Sequence, residues 1–172
     1  MNFQLSCEST VDLPYEYVIK RNMSVIFYSY VIDGVEHEDN MERSEESRKE
    51  FYSFIESGYI PTTSQINEYK YLEYFEELLK KGDVLHITLG TGMTPSYKNA
   101  CKAREVLKDK YPNRRLVILD SLCSSGGYGL LLDYCADLRD EGKSIEEIKK
   151  WVENNCNKIH HQFFSTNLKY FR

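Results

Sequence analysis

Short apolar runs and helical patterns alternate along this chain. FQLSC is followed by ESTVDLP, where Pro14 suits the first position of a helix through YEYVIKR. SVIFYSYVI reads as one long β run, closed by the hairpin signal Asp33-Gly34. EESRKEFYSFIESG puts Phe51, Phe54 and Ile55 on one helical face, with Gly58 as its C-cap. The polar loop YIPTTSQIN leads to EYKYLEYFEELLKKG, in which Leu72, Phe75, Leu78 and Leu79 keep helical spacing and Asn67 is the N-cap. DVLHITL predicts a buried strand and PSYKNACKAREVLKDKY the helix after it, with Thr94 as N-cap and Pro95 at the first helical position. LVILD is the next strand, DSLCSSGGYG its loop and GLLLDYCADLRDEG its helix. Ser144 and Glu147 form a capping box that opens IEEIKKWVENNC. HHQFFSTN predicts a further strand and turn, and NLKYFR the start of a helix. Strands alternating with helices predict an α/β fold, an open, mostly parallel sheet with helices on both faces.

At 172 residues, with 41% hydrophobic and 28% charged positions, the chain suits one well-buried domain, residues 1–172. The net charge of −5 argues against a nucleic-acid surface. No apolar run is long enough to span a membrane, and MNFQLSCEST lacks the basic and apolar segments of a signal peptide. The five cysteines are odd in number and contain no CxxC pair, which predicts free thiols and a cytoplasmic location.

The small, polar loops ESTVD, TGMTPS and DSLCSSGG all follow the carboxyl ends of predicted strands, where open parallel sheets bind ligands. TTSQIN precedes a helix and joins them as a fourth candidate. Gly90 and Gly92 fit two positions of a dinucleotide fingerprint and Asp120 ends the following strand, but Pro95 stands at the third glycine. There is no phosphate-loop lysine and no G-x-S-x-G elbow. Cys123 lies in a loop, where a thiol packed beneath it is the commoner arrangement than a nucleophile. The four histidines offer no metal spacing, so no metal is expected, and His86 reads as a hydrogen-bonded core residue. Thr91 would lie beside the free N–H groups of the helix that follows it, able either to hold an anion or only to cap. Thr63 and Ser64 carry the same two readings.

Taken together, ESTVDLP, VIDG, TSQIN, HITLGTGMTPSY, ILDS-x3-SGGYG and FF-x3-NLKYF resemble, in order and spacing, the DegV family patterns (T/D)DSTxDLP, TSQPS, LSSxLSGTY and DSxxxSxGxG. The similarity runs from Phe3 to Arg172. It implies binding of a long-chain fatty acid such as palmitate or oleate, with presentation to a separate fatty acid kinase and no catalytic residue or cofactor in this chain. By position, Thr63 and Thr91 match the family's carboxylate-binding hydroxyls. Ser9, Ser64, Asp120, Ser121 and Ser125 are expected along the same edge. The chain departs from the patterns at Cys7-Glu8, at Asn67 and at Pro95, and it stops before the family's K/R-GGRI motif and second domain. The resemblance therefore implies the N-terminal domain of a two-domain protein, with one wall of the lipid crevice and an exposed apolar face. A Rossmann-like nucleotide enzyme built on Gly90, Gly92 and Asp120, or an interaction module without ligand, are the alternatives.

Overall fold

The computed structural model describes residues 3–41 and 43–165. Strands β1 (Phe3–Glu8), β2 (Met23–Ile26), β6 (Asp83–Thr88) and β7 (Leu116–Asp120) form one sheet in the order β2-β1-β6-β7, with every neighbour parallel. Parallel strands require crossovers. Helix α1 (Tyr15–Lys20) supplies the one from β1 to β2, and α4 (Ser96–Lys110) the one from β6 to β7. Between β2 and β6 the chain adds an antiparallel sheet of β3 (Ser29–Ile32), β4 (Val35–Glu38) and β5 (Thr62–Ser64), in the order β4-β3-β5. Helices α2 (Glu45–Glu56) and α3 (Glu68–Leu79) flank β5, and α5 (Ser125–Asp140) and α6 (Ile145–Asn155) follow β7.

The parallel strands are buried on both faces, as such sheets require. On one side Val18 of α1, Leu131, Leu132 and Cys135 of α5, and Ile148 and Val152 of α6 pack on Leu5, Cys7, Leu85 and Ile87. On the other, Tyr71, Phe75 and Leu79 of α3 and Ala100, Ala103 and Leu107 of α4 pack on Val84 and Ile118. The expected α/β sheet with helices on both faces is what the chain forms.

Several terminators act as read. Gly58 takes φ +91° and its N–H donates to Ile55 O at 3.0 Å, while Tyr59 N–H reaches Phe54 O at 3.1 Å, which closes α2. Asn67 caps α3 by accepting Lys70 N–H at 2.9 Å, and Ser144 with Glu147 forms the capping box of α6.

Other expectations are corrected. The β run SVIFYSYVI is two strands in two different sheets, broken at Phe27 and Tyr28, because Tyr28 N–H is drawn to Ser9 Oγ at 3.0 Å and leaves the parallel ladder. Residues 62–64 of the predicted polar loop are a strand, paired with β3. Helix α4 starts at Ser96 with Pro95 at its cap position, one residue later than read; Thr94 Oγ1 still accepts Ser96 N–H at 3.3 Å and meets Ser96 Oγ at 3.1 Å. Residues 160–165 form no strand; His161 instead accepts Ser124 N–H at 3.3 Å, over the start of α5. The helix predicted for NLKYFR lies outside the described residues.

Candidate functional site

The chain leaves β1 toward β2 and leaves β6 toward β7, so the gap between the carboxyl ends of β1 and β6 is the point where connections diverge. Such a point opens a crevice in sheets of this kind. The loops that meet there are the short 3-10 turn Ser9–Val11 with Asp12, the segment from Leu89 to Pro95, and the segment from Ser121 to Ser124.

Beneath the crevice lies Glu8, fully buried at the end of β1. Its Oε2 accepts Leu89 N–H at 2.8 Å and Tyr28 O–H at 3.3 Å, and its Oε1 accepts Tyr71 O–H. Burial first, and then the neighbouring Glu8 charge, push both phenols far above the ordinary tyrosine range, so they stay protonated donors. Tyr28 Oη also meets Ser96 Oγ at 2.5 Å, which in turn meets Thr94 Oγ1 at 3.1 Å. On the other side Tyr74 Oη and Ser6 Oγ are 3.0 Å apart, and Ser6 Oγ lies 2.7 Å from His86 Nδ1. The direction that satisfies each group, Tyr74 to Ser6 to His86, leaves Nε2–H facing Glu8 Oε1 at 3.9 Å. Glu8 is thus the common acceptor that ties α3, the β2–β3 link and the loop after β6 together. Sequence reasoning passed over it, because one acidic residue ending an apolar strand carries no periodic signal.

The predicted site residues fall into separate groups. Thr63 of β5 lies opposite Tyr30 and lines a cavity of about 310 Å³ between the small sheet and α2. Tyr28, Tyr30, Phe51, Tyr52 and Pro61 give that wall its apolar part. Ser64 follows in the same strand, opposite Ser29. Ser9 and Ser125 line a second, more polar cleft of about 630 Å³, together with Asp12 and Leu89. Thr10 and Asp39 line both. Ser9 Oγ accepts Tyr28 N–H, and Ser125 Oγ donates to Asp12 Oδ2 at 2.5 Å.

Thr91, Asp120 and Ser121 make an internal cluster instead. Asp120 accepts Thr91 N–H at 3.1 Å, Leu122 N–H at 3.0 Å and the Thr91 hydroxyl. Ser121 Oγ accepts Cys123 N–H at 3.0 Å and donates to Cys123 O at 3.2 Å. The expectation that Thr91 sits against the free N–H groups of the following helix is corrected: its hydroxyl faces a carboxylate.

This cluster also accounts for the glycine loop. A Cβ on Gly90 would lie 3.0 Å from Cys123 O, so the glycine answers to the close approach of the next loop. Asp120 takes the Thr91 amide of the glycine loop and would face a pyrophosphate with a like charge, which argues against the nucleotide reading. Cys123 is buried, and that burial pushes its thiol up to about 11, the state of a packed residue rather than a poised nucleophile. His86 lies in the core as read, bonded through Nδ1. Among the described residues no group of three or more His, Cys, Asp or Glu could hold a metal ion, and no helix is long and apolar enough to cross a membrane.

The comparisons with known proteins agree with this architecture. A DegV domain-containing protein of Clostridium perfringens is 35% identical over 171 residues, covering 99% of this chain and 58% of the relative. A solved DegV family protein from Thermus thermophilus, described for its fatty acid binding, superimposes with a TM-score of 0.76 at 23% identity, over 91% of this chain and 54% of that one. The fatty acid kinase B3 protein of Streptococcus pneumoniae, solved loaded with linoleic acid, gives 0.74 at 17% identity, over 91% and 55%. At these identities the two structures establish the fold. The chain thus spans little more than half the length of these relatives. The family model described as uncharacterised protein, DegV family, matches residues 2–172, and the chain belongs to the DegV family.

Proposed function

We propose that this chain is the N-terminal ligand domain of a two-domain carrier that binds a long-chain fatty acid, such as palmitate or oleate, and presents it to a fatty acid kinase. The observation that carries the reading is the cavity beside Thr63: a slot between β3, β5 and α2 with Tyr28, Tyr30, Phe51, Tyr52 and Pro61 on its wall, beside hydroxyl-bearing residues and the charged residues Asp39 and Arg48. Its volume of about 310 Å³ is at the lower end of ligand pockets, which run roughly 300–1,000 Å³. It therefore encloses part of a long acyl chain. Each CH₂ left in water forgoes about 0.8 kcal/mol, so residues 1–172 alone bind weakly and a second domain supplies the remaining wall. Met93 and Leu122, in the loops after β6 and β7, are exposed and apolar, as residues facing such a wall would be.

In this reading Thr63 and Thr91 hold the carboxylate, and Ser9, Ser64, Asp120, Ser121 and Ser125 shape the same edge. Thr91 can donate to the ligand only by turning away from Asp120, because a hydroxyl has one proton. The chain acts as a carrier in the cytoplasm, without cofactor or catalytic residue of its own. The likeness in residues and fold to proteins that bind fatty acids supports the choice of ligand.

The test is oleate titration of the protein made from its complete gene, as wild type, Thr63→Val and Thr91→Val. Loss of one hydrogen bond to a carboxylate weakens binding about tenfold or more. Absence of any bound fatty acid in the wild type, or nucleotide binding that both variants retain, would overturn the reading.

A further inference from the structure

We propose that Thr10 is a direct ligand of the head group, its hydroxyl donating a hydrogen bond to the carboxylate of the bound acid. This rests on the fatty-acid reading of the site and names a residue that the family-matched positions leave out.

Thr91 has spent its hydroxyl proton on Asp120, Ser125 on Asp12 and Ser121 on Cys123 O. Ser9 keeps its proton, but its Oγ is held in place by accepting the Tyr28 amide. Thr10 differs: its Oγ1 is buried, yet has no hydrogen-bond partner among the described residues. A buried hydroxyl left unpaired is costly, and in folded proteins it calls for a ligand or a water. Thr10 also stands where both cavities meet, shared by the apolar slot of Thr63 and the polar cleft of Ser9 and Ser125. An amphiphile with its tail in the first cavity has its head at that seam.

The flanking residues hold Thr10 in place. Glu8 N–H donates to Tyr128 Oη at 3.0 Å, and the Cβ position of Gly129 comes within 2.7 Å of Val11 O, so the turn is pressed on α5. Arg48 of α2 lines the same slot and brings positive charge to its wall. Asp39 lines both cavities and brings a like charge, so a carboxylate there needs hydroxyl donors.

Thr10→Val keeps the shape and removes the hydroxyl. Calorimetric titration with oleate and thermal melting of the ligand-free protein, both made from the complete gene, separate the roles. The expected result is a Kd about tenfold higher, a melting temperature equal to or above wild type, and recovery of wild-type Kd in Thr10→Ser. An unchanged Kd in Thr10→Val, or a Kd in Thr10→Ser as weak as in Thr10→Val, overturns the proposal while leaving the fatty-acid reading intact. Failure of the wild type to bind oleate overturns both. Should Thr10→Val not fold, Thr10→Ala set against Thr10→Ser makes the same comparison.

Discussion

Removing one hydroxyl from the buried network tests whether Glu8 organises the crevice. Tyr71 and Glu8 are both fully buried, and the Tyr71 hydroxyl donates to Glu8 Oε1. Tyr71→Phe leaves the ring stacked on Phe75, whose centroid lies 5.3 Å away, and deletes only the donor. A hydrogen bond to a charged group contributes about 1.5–3 kcal/mol, against about 0.5–1.5 kcal/mol for a neutral pair. The two ranges let the size of the loss report the charge on Glu8. His86 Nε2 stands 3.9 Å from the same oxygen with no other partner, and by closing that gap it can recover part of the loss. The expected cost is therefore about 2 kcal/mol. With a urea m-value of about 2 kcal/mol/M, the unfolding midpoint falls by about 1 M while the slope stays constant. The assay is urea unfolding followed by circular dichroism, run also on Glu8→Gln and the double variant. Residues in direct contact show coupling of about 0.5–3 kcal/mol. A Tyr71→Phe loss below about 0.5 kcal/mol, or additive single variants, would refute the view of Glu8 as the hub of the crevice.

Two further measurements address the packing around the crevice. Burial holds the Cys123 thiol up to about 11 and the Cys135 thiol up to about 12, so both are neutral well above pH 7. Half-exposed Cys101 should react with a thiol reagent first at pH 8, with Cys123 labelling only as pH climbs toward 11 or the chain unfolds, as read by peptide mass mapping; fast labelling of Cys123 at pH 8 contradicts its buried placement. Gly129→Ala would bring a Cβ to 2.7 Å from Val11 O and cost about 1–3 kcal/mol in urea unfolding, so a variant as stable as wild type would mean that α5 does not press on the Ser9–Val11 turn.

The parallel sheet was legible because its signals are local and repeated. DVLHITL and LVILD are continuous apolar runs bounded by glycine or polar turns, and the helices around them show caps and spacing that any window of the chain reveals. The small antiparallel sheet was legible only at the Asp33-Gly34 hairpin, which does join β3 to β4. Its strands are short and half-exposed, and Thr62–Ser64 has the composition of a turn; it becomes a strand only because β3 offers a free edge. The break at Phe27 and Tyr28 has the same origin, since no residue between the two strands is a breaker and the Ser9 hydroxyl that captures Tyr28 lies far back in sequence. HHQFFSTN failed for the converse reason: its β-rich composition has no partner edge among the described residues, and His161 is taken up by the amide of Ser124.

For the site, the sequence discloses which residues carry hydroxyls and carboxylates but not where each proton goes. Thr91 and Asp120 lie in different loops, and only folding sets the Thr91 hydroxyl against a carboxylate that competes with any anionic ligand. The same holds for Ser125 and Asp12. Thr63, by contrast, has no side-chain hydrogen bond among the described residues, and neither has Thr10. Hydroxyl-rich loops at a strand edge therefore contain two populations. One fastens the loops to each other, at the expense of its donors. The other keeps its donors and sits against a cavity. A carboxylate takes its hydrogen bonds from the second population unless it can displace a carboxylate already bound to the first. For Thr91 that competitor is Asp120, tethered in place and held also by the amides of Thr91 and Leu122. Binding through Thr91 thus requires breaking a bond to a fixed partner, whereas binding through Thr10 and Thr63 breaks none within the protein, so all three can hold the carboxylate but Thr91→Val should cost less affinity than Thr63→Val or Thr10→Val.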